Sequence, residues 1–291
     1  MEIFMKTCVS SYSFSKLMKK GELNQLTAMK KAKELGFDAM EFSGMLPHDG
    51  SSPVEYAKML RREADAIDFP IVSFVIGADL INGRDGRTPD EELEYVKSMV
   101  DVAEILGVKT MRHDATSQLI RYPSFDAALP ELAKRINEIA EYARKKGIKT
   151  CVENHGYVCQ DPDRVERLYN AVNNDNFGLL CDMGNFLCVD ADPTKAVSLV
   201  APYVVFVHTK DFYVRSGALD TPGAGYFMNR SGNYLKGTIV GHGDVPVKQC
   251  LRALKRAGYD GYVSIEFEGM EEPIEALTIG LSNLKRFISE I

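Results

Sequence analysis

EYARKKGIKTCVEN, residues 141–154, joins a charged helix pattern to a short apolar strand through Gly147. Glycine is favoured directly after a helix because that position usually adopts a left-handed conformation that strains other residues. The same plan recurs in three segments: KKAKELGFDAMEF at 30–42, DVAEILGVKTMRH at 101–113 and ALKRAGYDGYVSIEF at 253–267. Successive glycines of the four segments are 71, 40 and 111 residues apart, close to two, one and three units of about 37 residues. The 291 residues therefore have room for eight such units.

Apolar runs and helix patterns supply the remaining units. The strand candidates are 5–10, 39–42, 71–75, 109–113, 149–154, 177–182, 204–208 and 262–267. Helix patterns lie near 22–35, 53–68, 89–106, 126–146, 162–173, 192–200, 246–257 and 272–290. Short continuous apolar runs are typical of parallel strands that are buried on both faces. This alternation predicts an α/β fold, a single-domain (β/α)8 TIM barrel over residues 1–291, with an open doubly wound sheet as the alternative.

The composition is that of a soluble globular protein, with 45% hydrophobic and 26% charged residues. The net charge of −6 argues against a nucleic-acid-binding surface, which is usually basic. The chain has no apolar run of the ~20 residues that a membrane span needs and no secretory signal pattern. We therefore expect a cytoplasmic protein without membrane contact. The six cysteines form no CxxC pair and are expected in the core.

One predicted connection is unusually long. The segment at about 209–245, between the seventh strand and the helix that follows it, is rich in glycine and polar residues. Loops of this length in compact domains commonly serve as lids or binding loops. Because it follows a strand, it leaves the C-terminal face of the barrel, where barrel active sites lie. We expect it to be an active-site loop.

Four consecutive strands end in polar residues that could form a metal site. They are Glu153, Asp182, His208 and Glu266. The carboxyl ends of barrel strands converge, and three carboxylates with one imidazole suit Mn²⁺, Mg²⁺, Co²⁺ or Zn²⁺. The cation would neutralise the repulsion between the acids. The alternative is that each is an ordinary strand-end group satisfied by its own loop.

The motifs VENHG, CDMGNF, VHTKDF, GHGDVPV and GYVSIEFEG, together with the barrel pattern, resemble the sugar phosphate isomerase/epimerase superfamily of xylose-isomerase-like barrels. The resemblance covers nearly the whole chain and implies that Glu153, Asp182, His208 and Glu266 bind one divalent metal, with Mn²⁺ as the first choice. It also implies that Glu153 and Glu266 exchange the substrate proton. Glu266, rather than Glu268, matches the family pattern.

The resemblance also suggests substrate contacts. Arg215 matches an arginine of the epimerases, whereas Asn185 stands where the free-ketose epimerases usually carry histidine. Further substrate-binding candidates are His155, Lys210 and His113, at or just beyond strand ends, and His242 in GHGDVP, which could return the long loop to the metal or cap the following helix. Of Arg112 and His113, only one is expected to face the barrel mouth. Glu41, at the end of the second strand, is a candidate to hydrogen-bond substrate or an arginine.

These features predict a metal-dependent isomerase or epimerase of a small sugar, keto-sugar or sugar phosphate that works through an enediolate. The alternative is a dehydratase or lyase that uses the same site on a keto-sugar or keto-polyol, as in inosose dehydratase, and Asn185 favours it. Two less favoured hypotheses are a non-catalytic sugar-binding barrel and an endonuclease IV-like phosphodiesterase. The expected partner is a small carbohydrate, and a homo-oligomer is possible.

Overall fold

The computed structural model describes residues 5–291, which fold into one closed parallel barrel surrounded by helices. The barrel strands are β1 Lys6–Ser10, β2 Ala39–Ser43, β3 Ile71–Ile76, β4 Thr110–His113, β5 Lys149–Glu153, β6 Phe177–Asp182, β7 Val204–Thr209 and β11 Tyr262–Ile265. They are hydrogen-bonded in the order β1-β11-β7-β6-β5-β4-β3-β2, and β2 closes on β1. The predicted TIM barrel is therefore confirmed, and the open sheet was the wrong alternative.

The outer layer consists of α-helices that follow the strands. They are α1 Ser15–Lys19, α2 Gln25–Leu35, α3 Pro53–Ala66, α4 Pro89–Leu106, α5 Phe125–Arg144, α6 Pro162–Val172, α7 Pro193–Val200, α8 Val247–Arg256 and α9 Pro273–Ser289. Helix α4 shows how the sequence sets the bounds. Thr88 and Glu91 form a reciprocal capping box at its start, and Gly107 ends it with φ of 74°. None of the helices within residues 5–291 is both long and apolar enough to cross a membrane.

The barrel interior has an apolar layer beneath a polar one. Inward-facing side chains of six strands form the apolar layer: Cys8, Ala39, Val75, Cys151, Leu180 and Phe206. Side chains alternate along a strand, so the residue two positions further on faces the same interior. In four of these strands that residue is acidic or a histidine: Glu41, Glu153, Asp182 and His208. The fold thus places ionisable groups at the C-terminal end of the barrel, directly above this buried apolar layer. All six cysteines are buried and free, as expected for core residues.

The connection at 209–245 contains regular structure that the sequence did not predict. It forms an antiparallel sheet of β8 Asp211–Arg215, β9 Phe227–Met228 and β10 Tyr234–Thr238 in the order β8-β10-β9. The buried side chains of Phe212 and Leu235 pack with Cys188 in a small separate core. The sequence did not reveal these strands, because the segment is rich in glycine and polar residues and its two buried apolar anchors, Phe212 and Leu235, are far apart in the chain; its role as an active-site loop stays a prediction.

Asp211 fastens this inserted sheet to the chain that leads into α8. Its buried carboxylate accepts hydrogen bonds from the backbone N–H groups of Phe212, Gly241, Gly243 and Val245 at 2.8–3.0 Å. Gly243 has no room for a side chain, since a Cβ there would lie 2.3 Å from Asp211 Oδ1. One carboxylate therefore holds both ends of the insertion together.

We expect Asp211→Ala to lower the free energy of unfolding by about 3 kcal/mol, because partly buried backbone donors lose their acceptor. Urea denaturation followed by circular dichroism measures this difference. Asp220→Ala is the matched control, since Asp220 is an exposed acid on the same insertion. Equal stability of the two variants would contradict the anchoring role.

Candidate metal centre

Four side chains at the C-terminal end of the barrel lie close enough to share one ion. Glu153 ends β5, Asp182 ends β6, His208 lies near the end of β7, and Glu266 directly follows β11. These strands are neighbours in the barrel, and one potential ligand atom from each residue lies within 4.8 Å of the others. The sequence-predicted group is thus assembled in space, and all four residues are buried.

His208 is at the centre of the group. Its Nδ1 atom lies 3.7 Å from Glu153 Oε1, 3.9 Å from Asp182 Oδ2 and 3.8 Å from Glu266 Oε1. On the other side of the ring, Nε2 lies 2.5 Å from Glu41 Oε1, although that oxygen is off the direction of a straight hydrogen bond. Burial alone lowers the pKa of His208, but the surrounding carboxylates, Glu41 foremost, hold it well above its usual value.

Asp182 presents one oxygen to the group and uses the other to hold its own loop. The backbone N–H groups of Gly184 and Asn185 donate to Oδ1 at 2.8 and 3.0 Å. Oδ2 has no hydrogen-bond partner in residues 5–291, although Lys210 Nζ lies 3.2 Å away. Burial raises the pKa of Asp182 to about 7, and Glu153 adds to the effect.

Glu153 has a partner on each oxygen. Asn185 Nδ2 donates to Oε1 at 2.9 Å, and Arg112 Nη2 lies 2.6 Å from Oε2. Burial by itself raises the pKa of Glu153, but the Arg112 guanidinium and the His208 imidazole outweigh it and hold the pKa well below its usual range. Arg112 is itself fixed by donating from Nη1 to the carbonyl oxygen of Ile76 at 3.1 Å.

Lys210 is a buried cation against the acidic group. Its Nζ atom lies 2.6 Å from Glu266 Oε2 and 3.1 Å from Glu268 Oε1, in addition to its contact with Asp182. A Cβ at Gly184 would lie 2.6 Å from Lys210 Cγ, so the absence of a side chain at Gly184 makes room for the lysine. Burial lowers the pKa of Lys210, yet the carboxylates hold it well above its usual value.

His155 borders the group through a chain of ion pairs. Arg112 Nη2 lies 2.7 Å from Asp114 Oδ1, and His155 Nδ1 lies 3.0 Å from the same oxygen. The His155 side chain is 49% exposed, so part of the imidazole can be reached from solvent. Burial lowers the pKa of His155, but Asp114 more than compensates and raises it.

Three sequence-predicted substrate residues are not brought to this group. His113 is completely buried with Nδ1 3.0 Å from the carbonyl oxygen of Asp114, and burial lowers its pKa to about 4. The strand alternation explains this, because Arg112 faces the interior and His113 faces the helices. Arg215 and His242 are exposed on or beside the inserted sheet and have no salt bridge in the described chain.

Two residues that contact the four candidate ligands, Arg112 and Glu41, were not assigned these positions by the sequence analysis. Of Arg112 and His113, it is Arg112 that contacts the group of four residues. Side chains alternate along a strand, so Arg112 faces the same side as Thr110, and this alternation could have identified it. Glu41 was expected to contact substrate or an arginine, whereas it lies behind His208 and accepts a hydrogen bond from Ser264 Oγ at 3.0 Å. That arrangement depends on the register of β2 and β11 across β1, which the sequence does not reveal.

The residues present fit a divalent cation. Asp182 Oδ2 and His208 Nδ1 are buried and lack a hydrogen-bond partner in the part of the chain that the structure describes. Such atoms are costly unless something binds them. The buried acids also outnumber the cations beside them, so a positive ion would relieve their repulsion. Oxygen and imidazole donors suit Mn²⁺, Mg²⁺, Co²⁺ and Zn²⁺.

A family model described as xylose isomerase-like TIM barrel matches residues 29–287. The chain belongs to this family. The inosose dehydratase of Lactiplantibacillus plantarum is 25% identical to it over 265 residues, covering 88% of this chain and 86% of that protein.

Solved structures share the fold at lower identity. IOLI protein, determined with a bound zinc atom, has a TM-score of 0.75 and 20% identity, with 98% of this chain and 99% of that chain covered. An L-ribulose 3-epimerase has a TM-score of 0.73 and 14% identity, with 99% and 95% covered. These two likenesses concern the fold alone.

We expect metal-stripped protein to bind one Mn²⁺ ion, and Glu41→Gln to weaken that binding about 10–100-fold, because removing the charge behind a ligating histidine lowers its basicity. Isothermal titration calorimetry measures the affinity directly. Glu92→Gln is the matched control, since Glu92 is an equally buried acid that pairs with Arg87 away from this group. Unchanged affinity in Glu41→Gln would remove Glu41 from the centre.

Proposed function

We propose that this protein is a divalent-metal-dependent dehydratase acting on a cyclic keto-polyol of the inosose type. The matched inosose dehydratases support the reaction class, since they align over most of the chain. The observation that carries the proposal is the double engagement of Glu153, whose two oxygens are held by Asn185 and Arg112. An epimerase needs two free proton carriers, one for each face of the substrate.

Elimination needs one base at the carbon beside the carbonyl, and His155 fits that role. The imidazole is half exposed and oriented by Asp114, which is itself held by Arg112. His155 takes the proton, and the electron pair of the broken C–H bond moves toward the carbonyl to give an enediolate. The hydroxyl on the next carbon then leaves with a proton from the imidazolium as water. The remaining enol tautomerises to a dicarbonyl.

Glu153, Asp182, His208 and Glu266 would hold the metal ion, which polarises the substrate carbonyl and stabilises negative charge on its oxygen. Lys210 adds a second positive group at the same place, held by Glu266 and Glu268. Its ammonium would donate a hydrogen bond to the oxygen that becomes negative. In this proposal Glu266 serves as a ligand, and a single histidine base replaces the two-carboxylate proton exchange expected from the sequence.

Incubation of the Mn²⁺-loaded protein with inosose tests the proposal. We expect loss of one water and a dicarbonyl product, followed by ultraviolet absorbance and proton NMR, and we expect EDTA to stop the reaction. Recovery of an epimerised or isomerised ketone without water loss would establish an isomerase or epimerase function instead. No change in inosose, with metal bound, would contradict the proposed substrate.

We expect His155→Asn to lower kcat by about 100-fold or more, because the elimination loses its base, while Mn²⁺ affinity stays as in the parent. Steady-state kinetics and calorimetry on the same preparations separate the two effects. His242→Asn is the matched control, since His242 is exposed and outside the cluster. A fully active His155→Asn variant would assign proton removal to another group.

A further inference from the structure

The tip of the inserted sheet contacts the loop that carries His155. The tip is the turn between β9 and β10, and the β5–α6 loop is formed by residues 154–161. Arg230, in the turn, donates from Nη1 and Nη2 to the two carboxylate oxygens of Asp161 at 2.5 and 3.0 Å. Its Nη2 atom also donates to the carbonyl oxygen of Tyr157 at 2.8 Å. One guanidinium therefore binds both a side chain and the backbone of this loop.

The turn that carries Arg230 is itself fixed. The backbone N–H of Arg230 donates to the carbonyl oxygen of Cys188 at 3.0 Å, and that of Ser231 donates to Asp190 Oδ2 at 2.8 Å. The side-chain amide of Asn229 also donates to Asp190 Oδ1 at 2.5 Å. These acceptors belong to the segment that follows β6. The arginine therefore reaches the β5–α6 loop from a backbone that is held by a different part of the barrel.

The backbone just after His155 is strained. Gly156 and Tyr157 both lie in the left-handed region, with φ of 76° and 65°. Glycine adopts this conformation freely, whereas the Cβ atom of a tyrosine makes it unfavourable. Tyr157 is also 45% exposed, so the packing of its side chain contributes little to holding this conformation. A residue of this kind keeps its conformation where neighbouring groups hold it.

Side chains hold Tyr157 at both of its backbone polar groups. Its N–H donates to Oε1 of the buried Gln160 at 2.7 Å, and its carbonyl oxygen accepts the hydrogen bond from Arg230. Gln160 also donates from Nε2 to the carbonyl oxygen of Asn185 at 2.6 Å, which ties the N–H side of Tyr157 to the segment after β6. The carbonyl side depends on the inserted sheet, because Arg230 supplies that contact.

We propose that Arg230 is a positioning residue for His155. By holding the carbonyl oxygen of Tyr157, it keeps the left-handed residues 156–157 in place, and these residues set the direction in which the β5–α6 loop presents the imidazole. The inserted sheet thereby acts on the reaction through this loop. The inference rests on the proposed function, which assigns His155 as the base, but one of its two readouts needs no turnover.

We expect Arg230→Gln to lower kcat for inosose dehydration about 10–100-fold, because a misplaced base removes the proton less effectively. KM and the Mn²⁺ affinity should stay as in the parent, since Arg230 contacts the loop and none of the four candidate ligands. The same variant should exchange the backbone amides of residues 154–161 faster, as measured by hydrogen–deuterium exchange mass spectrometry. Lys236→Gln is the matched control, because Lys236 is a cation on the same sheet whose Nζ lies over the Tyr226 ring.

A second substitution separates positioning of the loop from a general loss of structure. Asparagine adopts the left-handed conformation more readily than tyrosine does. Tyr157→Asn, added to Arg230→Gln, should therefore restore most of the lost kcat and slow the amide exchange of the loop again. The exposure of Tyr157 means that this change removes little packing.

An unchanged kcat in Arg230→Gln, a lower kcat without faster amide exchange, or a lower kcat that Tyr157→Asn does not relieve would each overturn the proposal. Failure of the proposed function is visible separately. A parent protein that leaves inosose unchanged loses the reaction, whereas faster exchange in Arg230→Gln would still establish that the inserted sheet holds the loop. A parent that dehydrates inosose as well as Arg230→Gln does retains the function and loses this positioning residue.

Discussion

The burial of several carboxylates around His208 is the constraint on which the site depends. Ionised acids in a low-dielectric interior are unfavourable unless cations or hydrogen bonds compensate them. Arg112 compensates Glu153 on one side, and Lys210 compensates Asp182 and Glu266 on the other. Among the buried atoms of the cluster that still lack a hydrogen-bond partner in residues 5–291 are Asp182 Oδ2 and His208 Nδ1. The carboxylates at the edge of the cluster are therefore compensated by protein groups, whereas the atoms around His208 Nδ1 fit a cation.

The rest of the fold keeps these charges in place. Closure of the barrel brings the ends of β5, β6, β7 and β11 to one mouth, and a buried apolar layer lies beneath them. The loop of residues 182–185 then performs two functions, because Asn185 caps Asp182 through its backbone and Glu153 through its side chain. Gly184 in the same loop leaves the space that Lys210 occupies. A small displacement of this loop would therefore alter the positions of Asp182, Glu153 and Lys210 together.

Much of the barrel and the cluster could be predicted because both follow from local patterns. The glycine-ended helices fix the repeat, and a polar residue at the end of an apolar run marks Glu153, Asp182 and His208. What the sequence could not supply are contacts between distant segments. Glu41 meets His208 only through barrel closure, and the inserted sheet depends on Asp211 reaching residues 241–245. The choice of Arg112 over His113 was available in the strand alternation.

The contacts of both Glu153 oxygens bear on the choice between the proposed dehydration and an epimerisation at the same site. A carboxylate with a free oxygen can carry a proton to and from carbon, whereas one held by an amide and a guanidinium serves better as a fixed ligand. In the proposed reaction, the contacts with Asn185 and Arg112 thus favour Glu153 as a metal ligand over Glu153 as a base. The proposed reaction therefore assigns proton transfer to His155, whose side chain is half exposed and lies 3.0 Å from Asp114. With a single base on one side of the substrate, elimination of a neighbouring hydroxyl becomes more accessible than inversion at carbon.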